Sequence, residues 1–222
     1  MRTLAIGDIH GCRRALTTLL DAVKARKNDQ LIFLGDYVDR GPDSPGVINT
    51  LLSLQTRCKT VFLRGNHEAM MLNARDSLLK SDIWQNCGGF ETVSSYGAER
   101  RTDWESSIPD SHWSFLERTI RGFETPKQIF VHAGLDSELD LKQQTDWILF
   151  WEYFENIRPH KSAKKVICGH TPQPKGLLGD VGYAICIDTG CVYGSWLTCL
   201  DVNSGHYWQA NEKGEIRQKD LD

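Results

Sequence analysis

Short apolar runs alternate with longer amphipathic runs in the first third of the chain, and this pattern restricts the fold more than any other feature. The apolar runs cover residues 3–6, 30–34 and 60–63. Between them, hydrophobic side chains recur at helical spacing over 15–23 and 47–54. Two strand–helix–strand units follow one another, each of about thirty residues, as a parallel crossover requires. The pattern predicts a parallel sheet whose strands end along one edge, where we expect the chemistry.

The remainder of the chain predicts a second, partly antiparallel sheet. Strand-like runs occur at 129–131, 166–168, 183–187, 196–202 and 206–209. The polar stretch 76–124 predicts helices only around 82–86 and 110–119, and the charged residues 211–222 predict a solvated tail. We expect a single domain over residues 1–222, of the α/β class. Two mixed sheets should pack together with helices outside them, in a layered α/β/β/α sandwich.

Composition narrows the class of protein. The 222 residues are 40% hydrophobic, enough to form a sizeable core, and the net charge of −3 argues against nucleic acid as a partner. No apolar stretch approaches the roughly 18–20 residues of a membrane span, and the N-terminus lacks the pattern of a secretory signal. The seven cysteines form no Cys-x-x-Cys pair and are interpreted as reduced thiols. We therefore expect a cytoplasmic protein without a membrane partner.

An apolar strand followed by glycine and then by a polar residue occurs four times. A single occurrence is typical of an ordinary turn, but parallel strands would bring all four to one edge. His10 follows Asp8 by two residues, and His132 ends a further strand. The candidate metal ligands are Asp8, His10, Asp36, Asn66, His132 and His170. Six ligands exceed the need of one ion, so we expect two divalent cations with Asp36 shared between them. Carboxylate, amide and imidazole donors favour Mn²⁺, with Fe or Zn²⁺ as alternatives.

Four further residues are candidates for catalysis. His67 directly follows Asn66, so we expect its side chain to face the solvent side of the site and to protonate a leaving oxygen. Asp39 would orient it. Arg40 and Arg64 flank the same loops, and their guanidinium groups match phosphoryl oxygens, although arginine is most often a solvated surface residue.

Five motifs carry a resemblance to a known family. They are GDIHG, GDYVDRG, GNHE, VHAG and GHTP, which begin at residues 7, 35, 65, 131 and 169. On these motifs the chain resembles the phosphoprotein phosphatase family, in its bacterial and bacteriophage branch. The resemblance implies a calcineurin-like metallophosphoesterase fold and two metal ions. It assigns one ion to Asp8, His10 and Asp36, and the other to Asp36, Asn66, His132 and His170.

The resemblance also implies a function. It makes His67 the general acid, Asp39 its partner, and Arg40 and Arg64 phosphate ligands. The implied enzyme is a serine/threonine protein phosphatase that acts on phosphoproteins, phosphopeptides and small phosphoesters. A hydroxide activated by two metal ions would attack in line, without a phosphoenzyme. The family's further phosphate-binding arginine has only Arg158 as a candidate here, and we do not assign it.

Two alternatives stay open, and a third is excluded. A diadenosine tetraphosphate hydrolase could use the same two-ion centre, but the resemblance implies glutamine in place of His10 and no acid at Asp39 in such enzymes. A noncatalytic phosphate-binding module should have lost a ligand or the acid. A cysteine phosphatase is suggested by the spacing of Cys58 and Arg64, but the intervening KTVFL predicts a strand that would hold them roughly 20 Å apart.

Overall fold

Two β-sheets pack face to face between two outer layers of helices. The computed structural model describes residues 1–99 and 102–221. The strands are β1 (Thr3–Ile6), β2 (Gln30–Phe33), β3 (Lys59–Phe62), β4 (Gly122–Glu124), β5 (Gln128–Val131), β6 (Lys165–Cys168), β7 (Gly179–Asp180), β8 (Ala184–Cys186), β9 (Leu197–Asp201), β10 (His206–Ala210) and β11 (Ile216–Asp220). The α-helices are α1 (Arg13–Val23), α2 (Ser44–Leu54), α3 (Asn66–Ala74), α4 (Leu78–Trp84), α5 (Phe90–Ser95), α6 (Asp110–Glu117) and α7 (Asp146–Trp151).

The first sheet contains the two predicted parallel units. Its strand order is β11-β10-β9-β1-β2-β3, and β1, β2 and β3 are parallel to one another. Ile6 lies opposite Phe33, which lies opposite Phe62, so the three strands end level with one another. The segments that follow these strands therefore start from one edge of the sheet, as predicted.

The second sheet supplies the remaining loops. Its order is β4-β5-β6-β8-β7, with β5, β6 and β8 parallel and the outer strands antiparallel. Residues of both sheets, such as Ala5, Phe130 and Leu200, form one buried cluster between them. Leu4 and Ile6 pack instead against α1 and α2, and Leu149 and Phe150 of α7 cover the outer face of the second sheet. This alternation of buried side chains confirms the predicted α/β/β/α sandwich.

Five of the twelve residues predicted to form a solvated tail form a strand instead, although most of their side chains are exposed. Ile216–Asp220 forms β11, which pairs antiparallel with β10 and places Lys219 opposite Tyr207. Backbone hydrogen bonds hold this strand, and most of its side chains are exposed. Because it buries little apolar surface, hydrophobic periodicity cannot identify it. Its charged side chains suit an exposed edge, where they discourage pairing with other chains.

The polar middle of the chain is mostly helical. Both predicted helices are present, as α4 and α6, and α4 continues into a π-helical turn at Gln85–Gly89. Gly88 in this turn has a φ of +110°, and a Cβ there would lie 2.6 Å from Arg40 Cγ. Its carbonyl accepts the Arg40 N–H at 2.8 Å, so the turn supports the loop after β2. Within the described residues, no helix has the length and apolar character to span a bilayer.

Candidate metal centre

The site loops have unusual backbone geometry. Five of the predicted site residues have positive φ values, between 45° and 73°: His10, Asp36, Asp39, Arg40 and His170. Non-glycine residues in this region cost roughly 1–3 kcal/mol each and persist only where the surroundings enforce them. The neighbouring glycines leave room for this packing, since a Cβ on Gly65 would lie 2.1 Å from Asp36 Oδ1. The loops are thus held in place at a cost in stability, as is common at functional sites.

Asp36 lies between two groups of potential metal ligands. One group is His10, Asp36 and His67, and the other is Asp36, His132 and His170, each with ligand atoms within 4.8 Å of one another. Asp36 Oδ2 is 3.4 Å from His10 Nε2, and Asp36 Oδ1 is 3.5 Å from His132 Nε2. The two carboxylate oxygens therefore face different groups, which suits a ligand shared between them.

The imidazole nitrogens are arranged for metal binding. His10 Nδ1 donates to the Val38 carbonyl and His132 Nδ1 to the Leu34 carbonyl, both at 2.9 Å. In these tautomers each Nε2 carries a lone pair. The Asn66 Oδ1 atom, also an acceptor, lies 3.0 Å from His132 Nε2. Two acceptors that converge at this distance fit a cation between them.

The protonation states of the histidines and of Asp36 also favour metal binding. Burial lowers the pKa of His10 to about 3 and that of His170 to about 4, and it also lowers the pKa of His132. Burial alone would raise the pKa of Asp36, but the surrounding imidazoles hold it below its usual value. Neutral imidazoles and an ionised carboxylate, with no thiol among them, fit divalent cations.

Asp8 lies beside these groups rather than within them. Its carboxylate accepts the His170 backbone N–H, with Oδ2 3.0 Å from the nitrogen. Burial, Asp188 and Asp36 raise the pKa of Asp8.

Asp188, which follows β8, was missed by sequence reasoning. Burial and the charge of Asp36 raise its pKa to about 7. Asp188 has no glycine before it, so the strand–glycine–ligand pattern omits it, but it is an acidic residue that closely follows an apolar strand.

His67 is buried and does not lie on the solvent side of the site, where the sequence placed its side chain. Its side chain is 1% exposed, and Nδ1 is 2.7 Å from Asp39 Oδ2. Trp84 Nε1 and Thr92 Oγ1 also donate to Asp39, each at 2.8 Å. Burial alone would lower the pKa of His67, but Asp36 and the hydrogen bond to Asp39 raise it overall. Because Asn66 begins α3, consecutive side chains there do not alternate between two faces.

The structure separates the predicted arginines. Arg40 Nη1 donates to His10 Nε2 at 2.7 Å, so its guanidinium lies at the centre. Arg64 donates instead to Thr119 Oγ1 at 3.0 Å and to the Glu117 carbonyl at 2.9 Å, at the C-terminal end of α6. A helix C-terminus attracts cations, which explains this placement. The structure therefore does not bring Arg64 to the centre.

Two other sequence candidates, Arg158 and Cys58, receive no support as site residues. Arg158 donates to its neighbouring carbonyls of Glu155 and Ile157. Cys58 immediately precedes β3 and Arg64 follows it, so an extended strand separates them, as predicted. Such an arrangement cannot form the folded phosphate cradle of a cysteine phosphatase.

Glu68 holds the loops of the centre together through hydrogen bonds to their backbone. Sequence analysis did not identify it as a site residue. Its side chain is fully buried. Oε2 accepts the backbone N–H groups of Asp36 at 2.8 Å and Gly65 at 2.9 Å, while Oε1 accepts those of Tyr37 at 2.8 Å and Val38 at 3.3 Å. One carboxylate thereby joins the loop after β2 to the start of α3.

Glu68→Gln is expected to lower the free energy of unfolding by about 3 kcal/mol, because the new amide group would face backbone N–H groups and leave buried donors unpaired. Urea denaturation measures the change. Glu91→Gln, at an exposed position of α5, is the matched control and should change stability by less than about 0.5 kcal/mol. Equal effects of the two substitutions would contradict the assigned role of Glu68.

The chain is similar to known proteins along most of its length. Two similar curated proteins are an asymmetrical bis(5'-nucleosyl)-tetraphosphatase PrpE of Anoxybacillus flavithermus and a symmetrical bis(5'-nucleosyl)-tetraphosphatase of Pseudomonas putida. The first is 27% identical over 88% of each chain, and the second is 26% identical over 98% of this chain and 96% of the relative. A solved structure described provisionally as a diadenosine tetraphosphatase is 25% identical, with a TM-score of 0.67 over 99% of this chain and 93% of that one.

The family profile described as Calcineurin-like phosphoesterase matches residues 1–201. This range contains both groups of potential ligands and every strand from β1 to β9. The chain therefore belongs to the calcineurin-like phosphoesterase family.

Proposed function

We propose that this metallophosphoesterase hydrolyses dinucleoside tetraphosphates. The observation that carries the proposal is the similarity to bis(5'-nucleosyl)-tetraphosphatases over 88–98% of the chain. The identities of His10 and Asp39 favoured a protein phosphatase, but similarity over nearly the whole chain outweighs two positions. The relatives give no support to phosphoprotein substrates, so the alternative hypothesis becomes the main one.

The proposed ligands of two divalent ions are Asp8, His10, Asp36, Asn66, His132 and His170. Such ions would neutralise phosphate charge and lower the pKa of a bound water. Asp36 would contribute to both groups of ligands, since one of its oxygens faces His10 and the other faces His132. Arg40 would bind the non-bridging oxygens of the phosphate through its guanidinium. The expectation that Arg64 does the same has no contact in its favour.

His67 would hold a proton at Nε2 for the leaving oxygen. Asp39 accepts from Nδ1, which leaves Nε2 as the exchangeable position, and the bonds from Trp84 and Thr92 fix Asp39 in turn. The leaving group of an anhydride is a nucleotide phosphate that stabilises its own negative charge. A general acid is needed most when the leaving group is an alcohol. The buried His67–Asp39 pair therefore supports a second candidate, hydrolysis of phosphomonoesters, phosphoserine peptides included.

Assays with Mn²⁺ should show turnover of diadenosine tetraphosphate with a higher kcat/KM than that of a phosphoserine peptide. A chelator should abolish the turnover, and added Mn²⁺ should restore it, because the proposed ligands hold exchangeable ions. Chromatography of the products then separates symmetrical cleavage, which gives two ADP, from asymmetrical cleavage, which gives ATP and AMP. Faster turnover of the phosphopeptide would favour the second candidate. No turnover of any phosphoester with both ions bound would favour the noncatalytic alternative.

A further inference from the structure

We propose that an exposed aromatic patch beside His170 binds a nucleobase of the substrate by stacking. The patch consists of Trp147, Trp151 and Tyr153 and is called here the His170 patch. The inference rests on the proposed function, because it assigns a part of the dinucleotide to a surface next to the same centre.

The His170 patch is continuous with the candidate metal centre. The Tyr153 and Trp151 rings lie 6.1 and 6.4 Å from the His170 ring, measured between centroids. Trp147 stacks on Trp151 at 6.0 Å with an angle of 19° between the ring planes. His170 belongs to one of the two groups of potential ligands. The aromatic surface therefore begins at a proposed metal ligand and extends outward from it.

The outer rings of the patch are open to solvent. Trp147 is 69% exposed and Tyr153 is 61% exposed, whereas Leu149 and Phe150 of the same helix are buried under the second sheet. The core thus requires only the inner side of α7. Exposed large aromatic side chains that adjoin one another are uncommon on a protein surface and mark binding sites.

A nucleobase suits this surface for chemical reasons. Base–aromatic stacking needs only a ring face, and every base provides one. In a dinucleotide, one ribose separates each base from the phosphate chain, so a base is the part of this substrate that lies just beyond the centre. A second exposed ring, Tyr193, lies 5.9 Å from the guanidinium carbon of Arg40, which donates to His10 of the other group of ligands. Aromatic rings beside both groups of ligands match a substrate with a base at each end.

The test combines kinetics with binding of non-dinucleotide probes. The main variant combines Trp147→Ala with Tyr153→Ala. Both side chains are exposed, so their removal should not change the stability of the fold. Steady-state kinetics with diadenosine tetraphosphate and Mn²⁺ should show KM raised roughly 10- to 100-fold with kcat little changed. Calorimetry should show a similar weakening for AMP and no change for ribose 5-phosphate, which has no base.

Trp208→Ala is the matched control. This half-buried indole on β10 contacts Arg2 and His206, and its loss should leave both KM and AMP binding unchanged. An unchanged KM in the double variant, or an equal loss of ribose 5-phosphate binding, would overturn base stacking. Loss of phosphopeptide turnover without loss of AMP binding would assign the patch to peptide instead and overturn the inference. If the wild type does not cleave the dinucleotide, the proposed function fails, and the comparison of AMP with ribose 5-phosphate still decides the role of the patch.

Discussion

Asp36→Asn is expected to lower turnover roughly 10³-fold, because charge stabilisation by a metal centre contributes several kcal/mol to the transition state. The substitution removes a carboxylate charge that faces both groups of ligands. One carboxylate oxygen becomes an NH₂ group, which cannot bind a cation and would instead donate to His10 or His132. Asparagine tolerates the positive φ of 52° at this position, so the loop should keep its conformation.

Kinetics with diadenosine tetraphosphate and calorimetric titration with Mn²⁺ measure the two effects. The wild type should bind two ions, and Asp36→Asn should bind fewer at the same Mn²⁺ concentration. Circular dichroism checks that the variant is folded, and Asp21→Asn, on the exposed side of α1, is the matched control. A variant that binds two ions and keeps normal turnover would refute the shared role of Asp36.

The sequence predicted the part of the site that depends on strand order. Once β1, β2 and β3 are parallel and end level, the residues that follow them must lie close together, whatever the side-chain details. The meeting of His10, Asp36 and Asn66 follows from that topology. His132 and His170 could be added because their strands show the same apolar pattern.

The parts that sequence could not predict depend on partners distant in the chain. Arg64 follows β3, as predicted, but its guanidinium binds the end of α6, and no local pattern marks that helix as its neighbour. Glu68 accepts backbone groups from a loop about thirty residues away. β11 is held by its pairing with β10 and not by apolar burial. Local periodicity identifies strands and helices, but these contacts require the assembled tertiary structure.

His67→Asn is expected to lower turnover of a phosphoserine peptide on the order of 10²-fold or more, because the serine alkoxide needs a proton to leave. Diadenosine tetraphosphate and 4-nitrophenyl phosphate should lose much less, since their leaving groups stabilise negative charge themselves. Initial rates on the three substrates measure the pattern. His206→Asn is the matched control, because His206 forms a similar 2.8 Å contact with Asp220 at the exposed edge of the first sheet.

The metal content of His67→Asn separates two roles that the geometry permits. His67 lies within ligand distance of His10 and Asp36, so it could bind an ion as well as hold a proton. If His67 is only the general acid, its replacement should leave the bound Mn²⁺ unchanged. If it is a metal ligand, its replacement should lower both the Mn²⁺ stoichiometry and the turnover of all three substrates. The short bond from Nδ1 to the buried Asp39 favours the acid, because a carboxylate partner raises the pKa of the ring and keeps a proton available. Equal losses on the three substrates together with fewer bound ions would therefore reassign His67 as a metal ligand.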